Sequence, residues 1–252
     1  MRQPDPIIRP KTVILHANNK GRSAGVFRVL TFLIFFSSSC FGTTPVTVTF
    51  GLTTGSDLTG GTITHFRSRN SNEFSVETLK FYVSGVRLLN NGKLVYDEPD
   101  SYHLIDYSDH RSLSFTLVLP EDIPFTQIAF SIGIDSLTNS SGARGGDLDP
   151  TKGMYWTWQS GYINFKAEGS YTTDTTVSNP FQYHLGGYQS PFITLQHVSL
   201  QVKSKNNIYV QFDAGRFLEK AIESGQQKIM SPGEPAMLLS EQLPGCFKIK
   251  LP

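Results

Sequence analysis

The sequence predicts an all-β fold, an antiparallel β-sandwich with long loops and at most one short helix. Three observations lead to this class. Several short segments alternate apolar and polar residues, which is the pattern of a strand with one buried face. Aromatic residues make up 12% of the chain, and they favour strands over helices. The 22 Gly and 14 Pro supply the frequent turns that a sandwich of short strands needs.

The alternating segments give the order of the predicted strands. Four of them cover residues 46–50, 112–119, 128–134 and 208–212. Glu77–Leu89 predicts a longer strand, and Asn90-Asn91-Gly92 predicts a hairpin turn after it, because Asn-Gly tolerates positive φ. Apolar residues on one face of Gly215–Ser224 predict the single helix. One domain over residues 46–251 is the simplest interpretation.

Composition limits the classes of partner and reaction. The formal net charge is +1 and charged residues make up 17% of the 252 residues, so neither nucleic acid nor an acidic membrane surface is favoured. The two cysteines are too few for a disulfide framework or a Cys-based zinc site. The predicted domain, residues 46–251, has no Gly-x-Ser-x-Gly, no His-Glu-x-x-His, no phosphate-binding Gly loop and no Cys-x-x-Cys. We therefore expect a binding protein and not an enzyme.

Residues 1–42 have the features of an export signal. The apolar run Val29–Phe36 is too short for a bilayer, which needs about 20 apolar residues, but it has the length of a signal-peptide core. Arg28 supplies positive charge before this run. The stretch before Val26 is long and polar for a signal, which suggests that the natural start of the protein lies near Val26.

Two kinds of processing are compatible with this segment. The run Ser37-Ser38-Ser39-Cys40 resembles a lipobox, and a lipid on Cys40 would tether the protein to a membrane. A cut after Gly42 would release a soluble protein instead. Either route predicts an exported protein, located in the periplasm, at the outer membrane or at the cell surface.

The segment Ile134–Ala167 differs from the rest of the chain. A long loop dense in Gly, Asp and Asn precedes both tryptophans of the protein, Trp156 and Trp158. Long loops within a compact domain are usually functional or disordered, and the aromatic cluster at the end of this one argues against disorder. We therefore expect the functional site here.

Seven stretches with a recognisable pattern follow one another along most of the mature chain. They are Lys80–Leu88, Tyr102–Asp106, Ile132–Asp135, Gly146–Pro150, Gly153–Tyr162, Tyr183–Gly187 and Met230–Gly233. Together they resemble the copper-binding MbnP-like family. The Trp-Thr-Trp block within the fifth stretch is the most specific of these matches.

This resemblance implies an exported β-sandwich that binds copper, for acquisition or storage. In such proteins a tryptophan is oxidised to kynurenine by a partner, a di-haem protein resembling cytochrome c peroxidases, and the kynurenine joins histidines at the copper. One position departs from the family. Members often carry a His two residues after the Phe of the first strand, whereas here Phe50 is followed by Gly51 and Leu52.

Copper accepts imidazole ligands, so His184 and His103 are the candidate metal ligands. His184 precedes Gly186, where a sharp turn would aim a side chain into a pocket, and the alternative is a histidine hydrogen-bonded at a strand end. His103 lies in a predicted strand three residues before Asp106, a spacing that puts these two side chains on opposite faces.

Trp156 and Trp158 are the candidates for modification, with Trp156 favoured, and a structural aromatic pair is the alternative. A different function also stays open, namely a carbohydrate-binding or adhesive surface that uses Trp156, Trp158 and Tyr162 as a stacking platform. Oxygen-bearing side chains in the loop are candidates for a calcium site, with ordinary turn residues as the alternative. They are Asp135, Asn139, Asp147 and Asp149.

Overall fold

The computed structural model describes residues 43–54, 65–120, 122–159, 161–173, 176–203 and 206–250. All of them belong to one compact unit, residues 41–252. The predicted signal segment and Cys40 lie outside the described residues. Among the described residues, no helix is long and apolar enough to span a membrane.

The described residues form fifteen β-strands and three short α-helices. The strands are β1 (Thr44–Thr53), β2 (His65–Arg67), β3 (Glu73–Asn90), β4 (Lys93–Asp97), β5 (Tyr102–Asp106), β6 (Ser114–Leu119), β7 (Gln127–Ile132), β8 (Tyr155–Trp156), β9 (Gly161–Tyr162), β10 (Phe165–Thr173), β11 (Thr176–Leu185), β12 (Gln196–Gln201), β13 (Asn207–Asp213), β14 (Lys228–Ile229) and β15 (Phe247–Ile249). The helices are α1 (Ser136–Ser140), α2 (Ala214–Glu223) and α3 (Glu234–Ser240).

Two sheets form the sandwich. The smaller has the strand order β15–β13–β1–β6, and the larger follows β12–β7–β3–β10–β11–β14, with β2, β4 and β5 also paired to β3. Strands β8 and β9 form a separate hairpin. The predicted all-β class is confirmed. Two strand pairs, β1–β13 and β11–β14, are parallel, a detail that alternation within a single strand does not reveal.

The helices differ in number from the prediction. The predicted helix is present as α2, and its Asp213 caps the first turn by accepting from the backbone N–H of Arg216. The other two were not predicted, because α1 and α3 have only 5 and 7 residues, too few for a helical period to show in the sequence. Local signals start both: Asp135 caps α1, and Pro235 occupies the first turn of α3.

Phenylalanine side chains fill the space between the two sheets, which we call the main core. The rings of Phe50 in β1 and Phe81 in β3 meet edge to face with centroids 5.9 Å apart, and Phe212 of β13 lies 5.6 Å from Phe81. All three are buried. Such aromatic pairs contribute about 0.5–1.5 kcal/mol each beyond the burial of their area, so they help to hold the two sheets together.

The opposite face of the larger sheet, the outer face, carries a second core. Tyr82 of β3 and Leu104 of β5 belong to it, whereas their strand neighbours Phe81 and Ile105 belong to the main core, as the two-residue alternation of a strand requires. The rest of the second core comes from residues 133–164 between β7 and β10, which we call the insertion. Its contributing residues are Ile134, Leu148, Met154, Trp156, Tyr162 and Ile163.

Candidate metal centre

His184 lies on the outer face, close to the insertion. Its strand neighbours Tyr183 and Leu185 belong to the main core, so the His184 side chain points to the other side of the sheet. The residue is only 6% exposed. A polar side chain buried to this extent needs a partner.

Glu168 is that partner. His184 Nε2 and Glu168 Oε1 are 2.6 Å apart, across the paired strands β10 and β11. Burial tends to raise the pKa of Glu168, but the hydrogen bond to His184 and the charge of Lys166 outweigh it and the pKa is lowered. Burial also lowers the pKa of His184, and the bond to Glu168 offsets this only in part. The pair is therefore a neutral imidazole beside an ionised carboxylate.

This protonation state determines the tautomer. An ionised carboxylate only accepts, so His184 Nε2 must carry the proton and donate it to Glu168. The lone pair of the neutral ring is then on Nδ1, which makes no hydrogen bond to the residues that the structure describes. A histidine whose second nitrogen donates to a carboxylate is the usual arrangement of a metal ligand, because the carboxylate fixes the ring and raises its basicity.

Trp156 of the insertion packs on the same face, against Gly186. A Cβ built on Gly186 would lie 2.6 Å from the six-membered ring of Trp156 and 2.6 Å from the carbonyl oxygen of Tyr162. Gly186 follows His184 by two residues, directly after β11 ends at Leu185, and the contact with Trp156 places it on the outer face. The absence of a side chain at Gly186 is what lets the Trp156 ring, itself 6% exposed, approach the strand so closely.

Lysines surround this pair. Lys166 is the cross-strand partner of His184, with its Nζ 3.7 Å from Glu168 Oε1, and Lys80 next to it forms an ion pair of 2.8 Å with Asp106. The positive charges of Lys166 and Lys228 act to lower the pKa of His184. They also disfavour a bound cation, so a metal here needs strong donors beyond one imidazole.

The fit to copper is thus partial. His184 has the tautomer, the burial and the carboxylate partner of a ligand. However, no three His, Cys, Asp or Glu side chains converge on one point in the described part of the chain. A copper site at His184 therefore needs a donor of another kind, and Trp156 is an aromatic side chain on the same face, packed against Gly186 two residues further along the chain.

His103, the second predicted ligand, does not share this site. Its ring stacks on Phe115 of β6 with centroids 3.6 Å apart, and its Nε2 lies 2.8 Å from Glu98 Oε2. It faces the smaller sheet, on the opposite side of the larger sheet from His184. One metal ion therefore cannot bind both His103 and His184. The spacing of His103 and Asp106 predicts side chains on opposite faces of the strand. The structure agrees, because Asp106 pairs with Lys80 on the outer face whereas His103 faces the smaller sheet.

The position that departs from the family pattern is also on the other side. Leu52 is partly buried and packs against the main core. A histidine at this position would lie between the sheets, away from the outer face. The missing His therefore removes nothing from the surroundings of His184.

The two tryptophans are in contact but differ in exposure. Their ring centroids are 5.9 Å apart with the planes inclined by 50°. Trp156 is buried in the second core, whereas Trp158, in the turn after β8, is 65% exposed. Tyr162 is 1% exposed, and its hydroxyl donates to the Leu148 carbonyl. Because two of the three rings are buried, they do not form the exposed stacking platform that a sugar-binding face requires.

A cleft adjoins Trp156 on the side of the loop after β11. It has a volume of about 370 Å³. No Lys, Arg, Asp or Glu of the described ranges lines it; its walls are aromatic, proline, glycine, serine and glutamine residues. The most relevant are Trp156, Tyr162, Tyr188, Phe192 and Gln159. The cleft brings solvent close to one side of an otherwise covered tryptophan.

The four loop residues considered for calcium are engaged in local contacts instead. Asp135 accepts from Thr138 N–H and from the Tyr102 hydroxyl, and Asp149 accepts from Thr151. Asp147 links the insertion to β5, and both Asp147 and Asn139 make contacts within the insertion. Asp147 accepts from Leu104 N–H and pairs with Lys152, and Asn139 donates to the Ile134 carbonyl and accepts from Tyr162 N–H. These contacts support the alternative of turn and loop residues.

Sequence reasoning missed Glu168 and Gly186. Glu168 is one of many carboxylates in the chain, and only the pairing of β10 with β11 brings it to His184. Gly186 was noted for its turn, not for the ring that it admits. The Gly-Gly pair after His184 was the available signal, since glycine allows close approach of another group.

The arrangement defines a class, namely all-β sandwich proteins whose larger sheet carries a histidine–carboxylate pair and a buried tryptophan on the same face. The model of the MbnP family matches residues 43–232, and the chain belongs to this family. The family is associated with methanobactin and copper.

Comparison with solved structures supports the fold. MbnP from Methylosinus trichosporium aligns with a TM-score of 0.53 and 15% sequence identity, over 71% of this chain and 78% of that one. At this identity the likeness concerns the fold alone. A search of curated proteins found no match.

Proposed function

We propose that this is an exported copper-binding protein in which His184 is a ligand and Trp156 is converted to kynurenine, the second ligand. The protein serves copper acquisition or storage and does not turn over a substrate. A di-haem protein of the cytochrome c peroxidase type is the proposed oxidant. Family membership supports the copper assignment in general, and the outer-face geometry supports the particular residues.

The observation that carries the proposal is that Trp156 packs against Gly186, on the face of the sheet that also carries His184. The ring lies against Gly186, two residues from a histidine whose Nδ1 lone pair is available. Of the two candidate histidines, only His184 shares a face with a tryptophan. The shortage of other His, Cys, Asp and Glu donors nearby is then expected, because the modified tryptophan supplies what they do not.

Conversion is necessary because an intact indole is a poor ligand. Its nitrogen is a donor with no free lone pair. Oxidation adds two oxygen atoms across the C2–C3 bond and breaks it; with water as their source, four electrons and four protons leave, and the haem partner takes the electrons. Hydrolysis then releases C2 as formate. The product carries an aryl amine and a carbonyl, both able to coordinate a metal.

Copper titration of variants tests the choice of histidine. We expect H184A to weaken copper binding more than any other single histidine change. We expect E168A to weaken it by about 10–100-fold, the usual effect of removing the group that orients a ligand. H103A is the matched control, a part-buried histidine with its own carboxylate partner on the other face.

The expected result for H103A is unchanged copper affinity, after thermal unfolding has shown that each variant is folded. Equal copper affinity in H184A and the unchanged protein would remove His184 from the site. Absence of copper binding in the unchanged protein would end the proposal itself.

Export rests on the apolar run Val29–Phe36 with Arg28 before it. N-terminal sequencing of protein from its native host should show a mature start between Cys40 and Thr44. A mature protein that keeps Met1–Phe36 would contradict export.

A further inference from the structure

The contact between a buried and an exposed tryptophan has a consequence for how Trp156 is oxidised. Trp156 is 6% exposed and packs against Gly186, just after the end of β11, whereas Trp158 is 65% exposed. A protein-sized oxidant can touch the Trp158 ring and cannot reach most of Trp156. With centroids 5.9 Å apart, the two indoles are close enough for an electron to pass directly from ring to ring.

We propose that Trp158 relays electrons from Trp156 to the oxidising partner. This inference rests on the proposed function, since it concerns how the modified residue is reached. Trp158 gives one electron to a high-potential haem of the partner, so the haem is reduced and Trp158 becomes a cation radical. Trp156 then gives one electron to Trp158. Trp158 is restored unchanged, no bond forms or breaks in this step, and the oxidising equivalent remains on Trp156.

The neighbouring tyrosines are a poorer route. Tyr162 meets Tyr155 and Tyr82 with centroid distances of 4.9 and 5.7 Å, so these rings also form a chain. However, a tyrosine loses its phenolic proton when it gives up an electron. Burial raises the pKa of both Tyr162 and Tyr82, and Tyr162 donates its proton to the Leu148 carbonyl, which cannot take it up. A tryptophan can pass on an electron without first losing a proton.

The test uses a small-molecule oxidant of defined chemistry, tris(bipyridine)ruthenium(III), generated by light with a cobalt(III) quencher. It takes single electrons at the protein surface. The copper-free recombinant chain is exposed to it, and peptide mass spectrometry measures added oxygen separately at residues 156 and 158. We compare the unchanged protein with W158F, which cannot be oxidised easily, and with W158Y, which can, because at this exposed position water takes up the phenolic proton that buried tyrosines cannot release. Y209F is the control, because Tyr209 is another exposed aromatic residue, 49% exposed, on the smaller sheet.

We expect oxidation at Trp156 in the unchanged protein and in Y209F, loss of most of it in W158F, and recovery in W158Y. Recovery by tyrosine separates electron transfer from a purely structural role of the ring. Equal oxidation of Trp156 in W158F would overturn the relay, and so would loss in both W158F and W158Y. Oxidation confined to Trp158 in the unchanged protein would overturn it as well.

This experiment needs neither copper nor the partner, so its outcome is independent of the kynurenine assignment. If the relay operates in the recombinant chain but protein from the native host has an unmodified Trp156, the relay stands and the proposed function fails. If the native host forms kynurenine at residue 156 equally in the unchanged protein and in W158F, the proposed function stands and the relay fails.

Discussion

At the scale of single residues, the His184–Glu168 pair determines the chemistry of the outer face. A buried neutral histidine beside an ionised carboxylate offers one ring nitrogen to a metal and has the other fixed by a hydrogen bond. Metal binding requires the neutral imidazole, so this state is already prepared for it. The same protonation state makes the stability of the copper-free protein depend on pH.

The pH dependence of stability has a definite sign. The folded-state pKa of His184 is lowered below its ordinary value of 6.5. As the pH falls through this value, the unfolded chain takes up a proton at His184 while the folded protein does not, so stability decreases down to the folded pKa. The lowered pKa of Glu168 adds a further loss below its ordinary value of 4.5.

We therefore expect the free energy of unfolding to decrease between about pH 7.5 and pH 5.5, and to decrease less in H184A. Urea unfolding at the two pH values measures this difference. H103A serves again as the control and should keep the dependence due to His184. Identical dependence on pH in H184A and the unchanged protein would show that His184 does not titrate as described.

Much of the residue-scale picture could be predicted from the sequence, but not the pairing. Alternation around Tyr183 and Leu185 already places His184 on the opposite face of its strand. It does not tell which face the insertion covers, nor that Glu168 lies across the strand pair. Those facts depend on the register of β10 against β11, which a single sequence does not contain.

At the scale of elements, the β8–β9 hairpin is held against the sheet by the Trp156 ring over Gly186. Replacing Gly186 with Ala would put a Cβ 2.6 Å from the ring and 2.6 Å from a backbone oxygen, and backbone cannot give way as a flexible side chain can. We expect G186A to lower the free energy of unfolding by about 1–3 kcal/mol, the usual effect of overpacking, and to change the fluorescence of Trp156.

G51A is the matched control. Gly51 lies in β1, and a Cβ there would meet nothing within 4 Å. Its stability should stay the same or rise slightly, because alanine has less conformational entropy to lose on folding than glycine. Equal effects of G186A and G51A on the free energy of unfolding and on fluorescence would show that Trp156 is not packed against the strand.

The elements themselves were predictable where one face of a strand is buried, because the period of two is then visible. Strand β3 and its Asn-Gly turn are examples: the strand ends at Asn90 and β4 begins at Lys93. Short elements were not predictable, since the two residues of β8 cannot show a period. The insertion was recognised only by its composition, and its second core appears only when the sheet beneath it is known.

At the scale of the whole molecule, the sandwich provides a rigid sheet and the insertion turns one face of it into a site. The histidine comes from β11, its carboxylate from β10 and the tryptophan from a hairpin some thirty residues before the histidine. None of these segments alone specifies a metal centre. The family relationship supports copper, and the geometry supports His184 and Trp156 in preference to His103 and Trp158.

The most direct test of this account is peptide mass spectrometry across Gly153–Lys166 in protein purified from its native host, beside the same peptide from a recombinant protein made alone. The account predicts kynurenine at residue 156 in the native sample, an intact Trp158, and two intact tryptophans in the recombinant sample, which should bind copper less tightly. Two unmodified tryptophans in the native sample, or modification of Trp158 in place of Trp156, would contradict it.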